Sequence, residues 1–154
     1  MTSGPPNSKR VVAVSACLLG ERCRYDGRDK LDDALVAALR AEGATIVPVC
    51  PEVLGGLSTP RPAAEIRGGD GGDVLDGRAR VVVKDSGRDV TEEYLRGARA
   101  ALAIARGAGA TEAVLKERSP SCGSSEVHRD GGPKPGEGVA AALFRRHGIR
   151  VVAR

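Results

Sequence analysis

Apolar residues in this chain follow two distinct periods. Four short runs, Val11 to Ala16, Thr45 to Val49, Ala113 to Leu115 and Ile149 to Val152, are nearly continuous in β-branched or small apolar side chains. Continuity without alternation predicts strands buried on both faces, as in a parallel sheet. Between these runs the period lengthens to that of a helix. Leu31, Leu35 and Leu39 share one stripe with Ala34 and Ala38 beside it, Asp32 and Asp33 fall in the first turn, Asp29 is the candidate N-cap and Gly43 the stop. A second helix opens at Thr91 with Glu92 and Glu93 against the helix dipole, turns Leu95, Ala98 and Leu102 inward and ends near Gly107. A third spans roughly Gly138 to His147, with Val139, Leu143 and Phe144 apolar and Gly148 as the residue just past its end.

This order predicts an α/β fold: a three-layer, Rossmann-like domain with a small, mostly parallel sheet and helices on both faces. Its middle interrupts the pattern. Ala64 to Lys84 shows no helical period, and Val81 to Val83 follows an Asp76-Gly77 turn signal, so a β-hairpin inserted before the second helix is expected. Gly123 to Gly138 reads as a Gly- and Pro-rich loop, and loops of that length in a small domain are usually functional or mobile.

A chain of 154 residues is one domain's worth, placed here at residues 10–154 behind a polar tail, Met1 to Lys9, that is expected to be disordered. The tail lacks the apolar stretch of a signal peptide, and no run approaches the ~20 apolar residues that span a bilayer. A cytoplasmic protein without membrane contact is expected, its four cysteines held as thiols. The net charge of +4 comes from basic residues interleaved with acids, and the only aromatics are Tyr25, Tyr94 and Phe144. Neither a basic stripe nor a stacking platform for nucleic acid is present, so the composition favours a small-molecule site in a monomer or homodimer.

The cysteines sharpen that picture. Cys17, Cys50 and Cys122 each come after one of the first three sheet strands, in the segments SACLLG from Ser15, PVCPE from Pro48 and KERSPSCG from Lys116. Ligands of open parallel sheets bind beyond the carboxyl ends of the strands, near the reversal of strand order, so three thiols there suggest a metal or iron–sulfur site. Buried cysteine also serves as a small hydrophobe, but core packing has no reason to favour those three positions. Cys23, in the loop ERCRYDG, has no zinc-knuckle spacing from Cys17. No C-x-x-C pair occurs and only His128 and His147 are available, which disfavours a zinc finger or a thioredoxin-like pair. Three thiolates with no fourth protein ligand suit a cluster with one open position, although sequence does not separate zinc from iron. His147 is expected on a helical stripe as a partly buried structural residue, whereas His128 is either a pocket residue or solvated. A phosphate-binding nucleotide domain is disfavoured, since SACLLGERC carries neither a G-x-G-x-x-G nor a Walker pattern.

Seven segments carry a resemblance: Ser15-Ala-Cys-Leu-Leu-Gly20, Cys23-Arg-Tyr-Asp-Gly27, Pro48-Val-Cys-Pro-Glu52, Gly55-Gly-Leu57, Pro60-Arg-Pro62, Asp89-Val-Thr91 and Lys116-Glu-Arg-Ser-Pro-Ser-Cys-Gly123. Together they span nearly the whole chain, and in this order they resemble the bacterial domain-of-unknown-function family that includes the thiouracil desulfidases. The resemblance implies a 4Fe-4S cluster bound by three cysteines, Cys17, Cys50 and Cys122, whose open iron accepts the sulfur of a thiolated pyrimidine and later releases it as sulfide. It also implies that Glu52 and Ser119 move protons or activate water. Around them Ser15, Cys23, Arg61, Ser121 and His128 are candidate substrate contacts. Arg61 would hold a carbonyl or anionic group or be solvated, and Cys23 would line the pocket or handle sulfur. The loop after Cys122 departs from the family: Ser125-Glu-Val-His-Arg-Asp-Gly131 puts His128 where many members carry a pocket-side aromatic. The competing expectation is a non-enzymatic α/β module that binds a metal or another ligand.

Overall fold

The computed structural model describes residues 10–154; the expected tail at residues 1–9 lies outside the described residues. Four strands, β1 (Val11–Ser15), β2 (Thr45–Val49), β5 (Glu112–Leu115) and β8 (Arg150–Ala153), form a wholly parallel sheet in the order β2-β1-β5-β8. β1 lies at the centre of the strand-order reversal, with its successor β2 on one side and β5 on the other. Alternate residues divide its two faces. Val12, Val14 and Val114 pack with Leu35 and Leu39 of α1 (Asp33–Ala41). Ala13, Ala113 and Leu115 pack with Ala101, Leu102 and Ala105 of α4 (Thr91–Gly107) and with Phe144 of α5 (Val139–Arg146). The three-layer arrangement expected from the apolar runs is therefore present.

A second sheet departs from expectation. β3 (Ala64–Arg67) and β4 (Arg80–Val83) pair antiparallel, as anticipated for an inserted hairpin, but α3 (Gly71–Leu75) lies between them. Two glycines at its start hide that short helix from a periodicity reading, and Asp70 and Asp73 stabilise it by capping each other's backbone. The Gly- and Pro-rich loop contains a hairpin, β6 (Glu126–Arg129) and β7 (Gly132–Pro135). Its turn residues Asp130 and Gly131 both have positive φ, as a two-residue β-turn of this kind requires. β6 then joins β3 in parallel, giving the order β4-β3-β6-β7. Ile66, Val81, Val83 and Val127 form the core of this sheet against Tyr94 and Ala98 of α4 and Val139 and Ala140 of α5. α4 and α5 thus serve both sheets, one with each half.

Helix ends also differ from the sequence reading. The N-cap of α1 is Asp32, whose side chain accepts from the Leu35 amide, rather than Asp29, which instead accepts from Leu31 one turn earlier. Leu31 consequently lies before the helix and is 49% exposed. α4 begins at Thr91 as expected, and the Thr91 hydroxyl accepts from the Val81 amide at 2.9 Å, tying the helix start to β4.

The short helix α2 (Pro51–Leu54) places the candidate acid. Proline at its first position suits a helix start, and Cys50 occupies the cap position just before it. α2 lies backbone to backbone on α4: a Cβ at Gly97 would sit 1.8 Å from the Pro51 carbonyl oxygen, and one at Gly55 would sit 2.0 Å from that of Glu93. Only glycine at both positions permits this approach.

Candidate active site

The carboxyl ends of β1, β2 and β5 open into a cavity of about 310 Å³, walled on its far side by Ala64 and Lys84 around β3 and β4 and by His128 of β6. Cys17, Cys23, Cys50 and Cys122 all line it, and all four are free thiols. Their supports differ in kind. Cys17 sits in a 3-10 turn, Ala16–Leu19, continuing directly from β1. Cys50 follows β2 and caps α2. Cys122 ends a loop seated on α5, where the amides of Val139 and Ala140 donate to the carbonyls of Pro120 and Ser121. These first amides of a helix lack intrahelical partners, so the loop caps α5 while α5 holds the loop.

Cys23 comes closer to the other thiols than its loop position suggested. It is buried, and the Cys50 thiol approaches its backbone oxygen at 3.8 Å. Hydrogen bonding with the Cys17 side chain is the main influence pushing the Cys23 thiol up to about 11. Hydrogen bonding with Cys23, followed by burial, raises Cys50, and burial above all raises Cys122 to about 12. With nothing bound, these three thiols are therefore protonated at neutral pH. Among the described residues no three His, Cys, Asp or Glu side chains converge on one single-ion position.

Glu52 projects from the first turn of α2 with its side chain only 14% exposed. One carboxylate oxygen accepts from Arg61 Nε at 3.0 Å, and the other accepts from Ser119 Oγ at 3.2 Å. Ser119 Oγ accepts in turn from the amides of Ser121 and Cys122, each at 3.1 Å, so the hydroxyl joins the acid to the Cys122 backbone. Fully buried Tyr94 also lines the cavity; burial, with the charge and hydrogen bonding of Glu52, raises its phenol well above the ordinary value. Tyr94 escaped the sequence reading because its approach to Glu52 depends on the α2–α4 contact; its i, i+4 relation to Ala98 was the available sign that it faces inward.

The remaining candidates divide. Ser15 is buried on the cavity wall, where its Oγ accepts from the Lys116 amide at 2.9 Å and hydrogen-bonds Cys122. Arg61 also lines the cavity, but its side chain is only 6% exposed and four hydrogen bonds occupy it. Ser121 is buried away from the cavity with its hydroxyl unpartnered. His128 lines the cavity with Nδ1 buried and unpartnered; burial, then Lys84 and Arg118, depress its pKa and keep the ring neutral. His147 lies outside the cavity beside Arg106, exposed at the C-cap of α5 rather than partly buried on its apolar stripe.

A second carboxylate in the wall has a different task. Glu117 Oε1 accepts from the amides of Ser124, Ser125 and Glu126 at 2.8, 3.1 and 3.1 Å, and its other oxygen accepts from the Ser125 hydroxyl. Burial would raise this carboxyl, but those hydrogen bonds outweigh it and lower it to about 2. Glu117 thus anchors the loop that presents Ser119 and Cys122. Sequence reasoning passed over it because its partners lie in an aperiodic loop.

Three comparisons with known proteins bear on this arrangement. A family model described as 2-thiouracil desulfurase matches residues 12–154. The uncharacterized protein YbbK of Bacillus subtilis (strain 168) is 44% identical over 146 residues, covering 93% of this chain and 95% of that protein. A solved structure described as the 4Fe-4S-dependent thiouracil desulfidase TudS superposes with a TM-score of 0.80 at 45% identity, covering 95% of this chain and 91% of that one. Among the described residues, no helix is long and apolar enough to cross a membrane.

Proposed function

The chain belongs to the 2-thiouracil desulfurase family, and from that membership we propose that it is an iron–sulfur-dependent desulfidase that hydrolyses the carbon–sulfur bond of a thiolated pyrimidine and releases sulfide. The observation that carries this reading is the shared wall of one cavity, lined by free thiols from three adjacent strand ends and by a half-buried carboxylate bonded to a serine hydroxyl. Sulfur donors suit an iron–sulfur group. Cys17, Cys50 and Cys122 would hold the cluster, with Cys23 beside them as a wall residue. Once bound, the cluster supplies a soft Lewis acid for the thiocarbonyl sulfur.

The protein groups supply the rest. Glu52 takes a proton from water as its oxygen adds to the ring carbon, and Ser119 Oγ, already bonded to the acid, holds the carboxylate on that side. Neutral His128 presents an uncharged face to a neutral base. The net reaction exchanges C=S for C=O, consumes one water and yields one hydrogen sulfide, with no net electron transfer. Because three of the thiols are protonated when the site is empty, cluster assembly releases protons and is favoured by higher pH.

The test is anaerobic reconstitution with iron and sulfide, followed by metal analysis and addition of 2-thiouracil. The expected result is a brown protein with about four irons per chain that releases sulfide and uracil in equal amounts. A colourless protein with one zinc, or a fully loaded one that releases no sulfide, would overturn the proposal.

A further inference from the structure

We propose that Arg61 is a positioning residue that locks the Cys23 loop to the Glu52 carboxylate, and that it is not a substrate-binding cation. The inference rests on the desulfidase reading for its kinetic consequence and on the hydrogen bonds alone for its structural one. An arginine at a cavity wall is usually free to receive a carboxylate, phosphate or carbonyl with its planar fork. Here four of the five N–H donors are already engaged. Nε donates to Glu52 at 3.0 Å, Nη2 to the Cys23 carbonyl at 2.8 Å, and Nη1 to the Ser58 carbonyl and Thr59 hydroxyl, each at 3.0 Å. The Arg61 amide donates to the Tyr25 carbonyl at 2.8 Å, adding a second tie to the same loop.

These bonds join parts of the site that no regular element connects. The loop around Cys23 belongs to neither sheet, and its other ties to the α2 side run through Cys50, whose thiol meets the Cys23 oxygen at 3.8 Å and hydrogen-bonds the Cys23 side chain. Arg61 therefore sets where the Cys23 loop stands relative to the acid. It also divides space. A second cavity of about 190 Å³ lies behind it, and Arg61, Ala64 and Tyr94 line both. Withdrawing the guanidinium would release the loop, free one Glu52 oxygen to swing and join the two cavities. A lysine reaches only one of these acceptors at a time.

The experiment compares wild type, Arg61→Lys and Arg61→Gln after anaerobic reconstitution, with turnover of 2-thiouracil normalised to intact cluster. Positioning predicts that kcat falls about tenfold in the lysine variant and about a hundredfold in the glutamine variant, with KM within about twofold of wild type. A KM rise with kcat preserved would instead mark Arg61 as a substrate ligand. Activity per cluster equal to wild type would reduce its role to folding. Either result overturns the proposal. A parallel measurement needs no turnover: the rate at which Cys23 is alkylated, followed by peptide mass spectrometry. We expect labelling in Arg61→Gln to be about ten times faster than in wild type, as a released loop requires. Equal rates would overturn the tie even if wild type proved inactive on 2-thiouracil, an outcome that would by itself sink only the desulfidase reading.

Discussion

Glu52 and Glu117 both line one cavity, and the protein treats them in contrasting ways. Glu117 satisfies itself locally: amide donors from Ser124 to Glu126 and the Ser125 hydroxyl all belong to the loop it closes. Glu52 is held by side chains, Arg61 nine residues along the chain and Ser119 from the loop after β5, with buried Tyr94 beyond them. A carboxylate wrapped by backbone amides is an anchor, since its lone pairs are occupied and its proton is lost even in acid. A carboxylate held by side chains at the cavity wall keeps a fixed position beside the space a substrate would fill. The comparison separates scaffold from chemistry among residues of the same type.

The largest expected effect breaks the comparison directly. Glu52→Gln should lower turnover by about 10²–10⁴-fold with the cluster spectrum unchanged. Glu117→Gln should lower the amount of cluster bound while leaving turnover per intact cluster close to wild type. Iron content and sulfide release, measured on both variants, check the pair; equal loss of turnover per cluster in the two would erase the distinction.

A smaller effect tests how Glu52 is placed. Gly97→Ala would drive a Cβ into the Pro51 carbonyl, with neither backbone free to yield cheaply. The variant should be destabilised by about 1–3 kcal/mol and, with α2 pushed off α4, should turn over more slowly. Chemical denaturation together with kcat measures both. A variant of wild-type stability would mean that α2 tolerates displacement.

The smallest effect concerns Glu117 in acid. Its carboxyl falls from the ordinary 4.5 to about 2 in the folded chain. A depressed folded value contributes stability above the unfolded value, and that contribution is lost as pH drops from about 4.5 toward 2. Because the group is partly exposed, the contribution is roughly 1–2 kcal/mol. Comparing the acid unfolding of wild type and Glu117→Gln should show that difference at pH 6 and convergence near pH 2.

Much of this was legible in the sequence, and the reasons are physical. β1, β2, β5, α4 and α5 stand out because a two-sided or one-sided core imposes a period on the chain. The placing of Cys17, Cys50 and Cys122 beyond adjacent strands follows once those strands are located. The second sheet was less visible. Its strands have only four residues each, and β7 carries two prolines in Gly-Pro-Lys-Pro, so only the Asp130-Gly131 turn betrays it. α3 depends on a capping box rather than on an apolar stripe. Arg61, Tyr94 and Cys23 acquire their surroundings from contacts between loops and helices distant in sequence, which no local pattern encodes. Cys23 in particular was recognisable as part of a motif, yet its closeness to Cys17 and Cys50 required the loop geometry.

The most direct test of the central claim is turnover of 2-thiouracil by the anaerobically reconstituted protein in isotopically labelled water. The account predicts that each uracil formed carries one solvent oxygen and is matched by one sulfide, without added reductant or oxidant. Uracil lacking the label, or a strict requirement for an external electron donor, would contradict it.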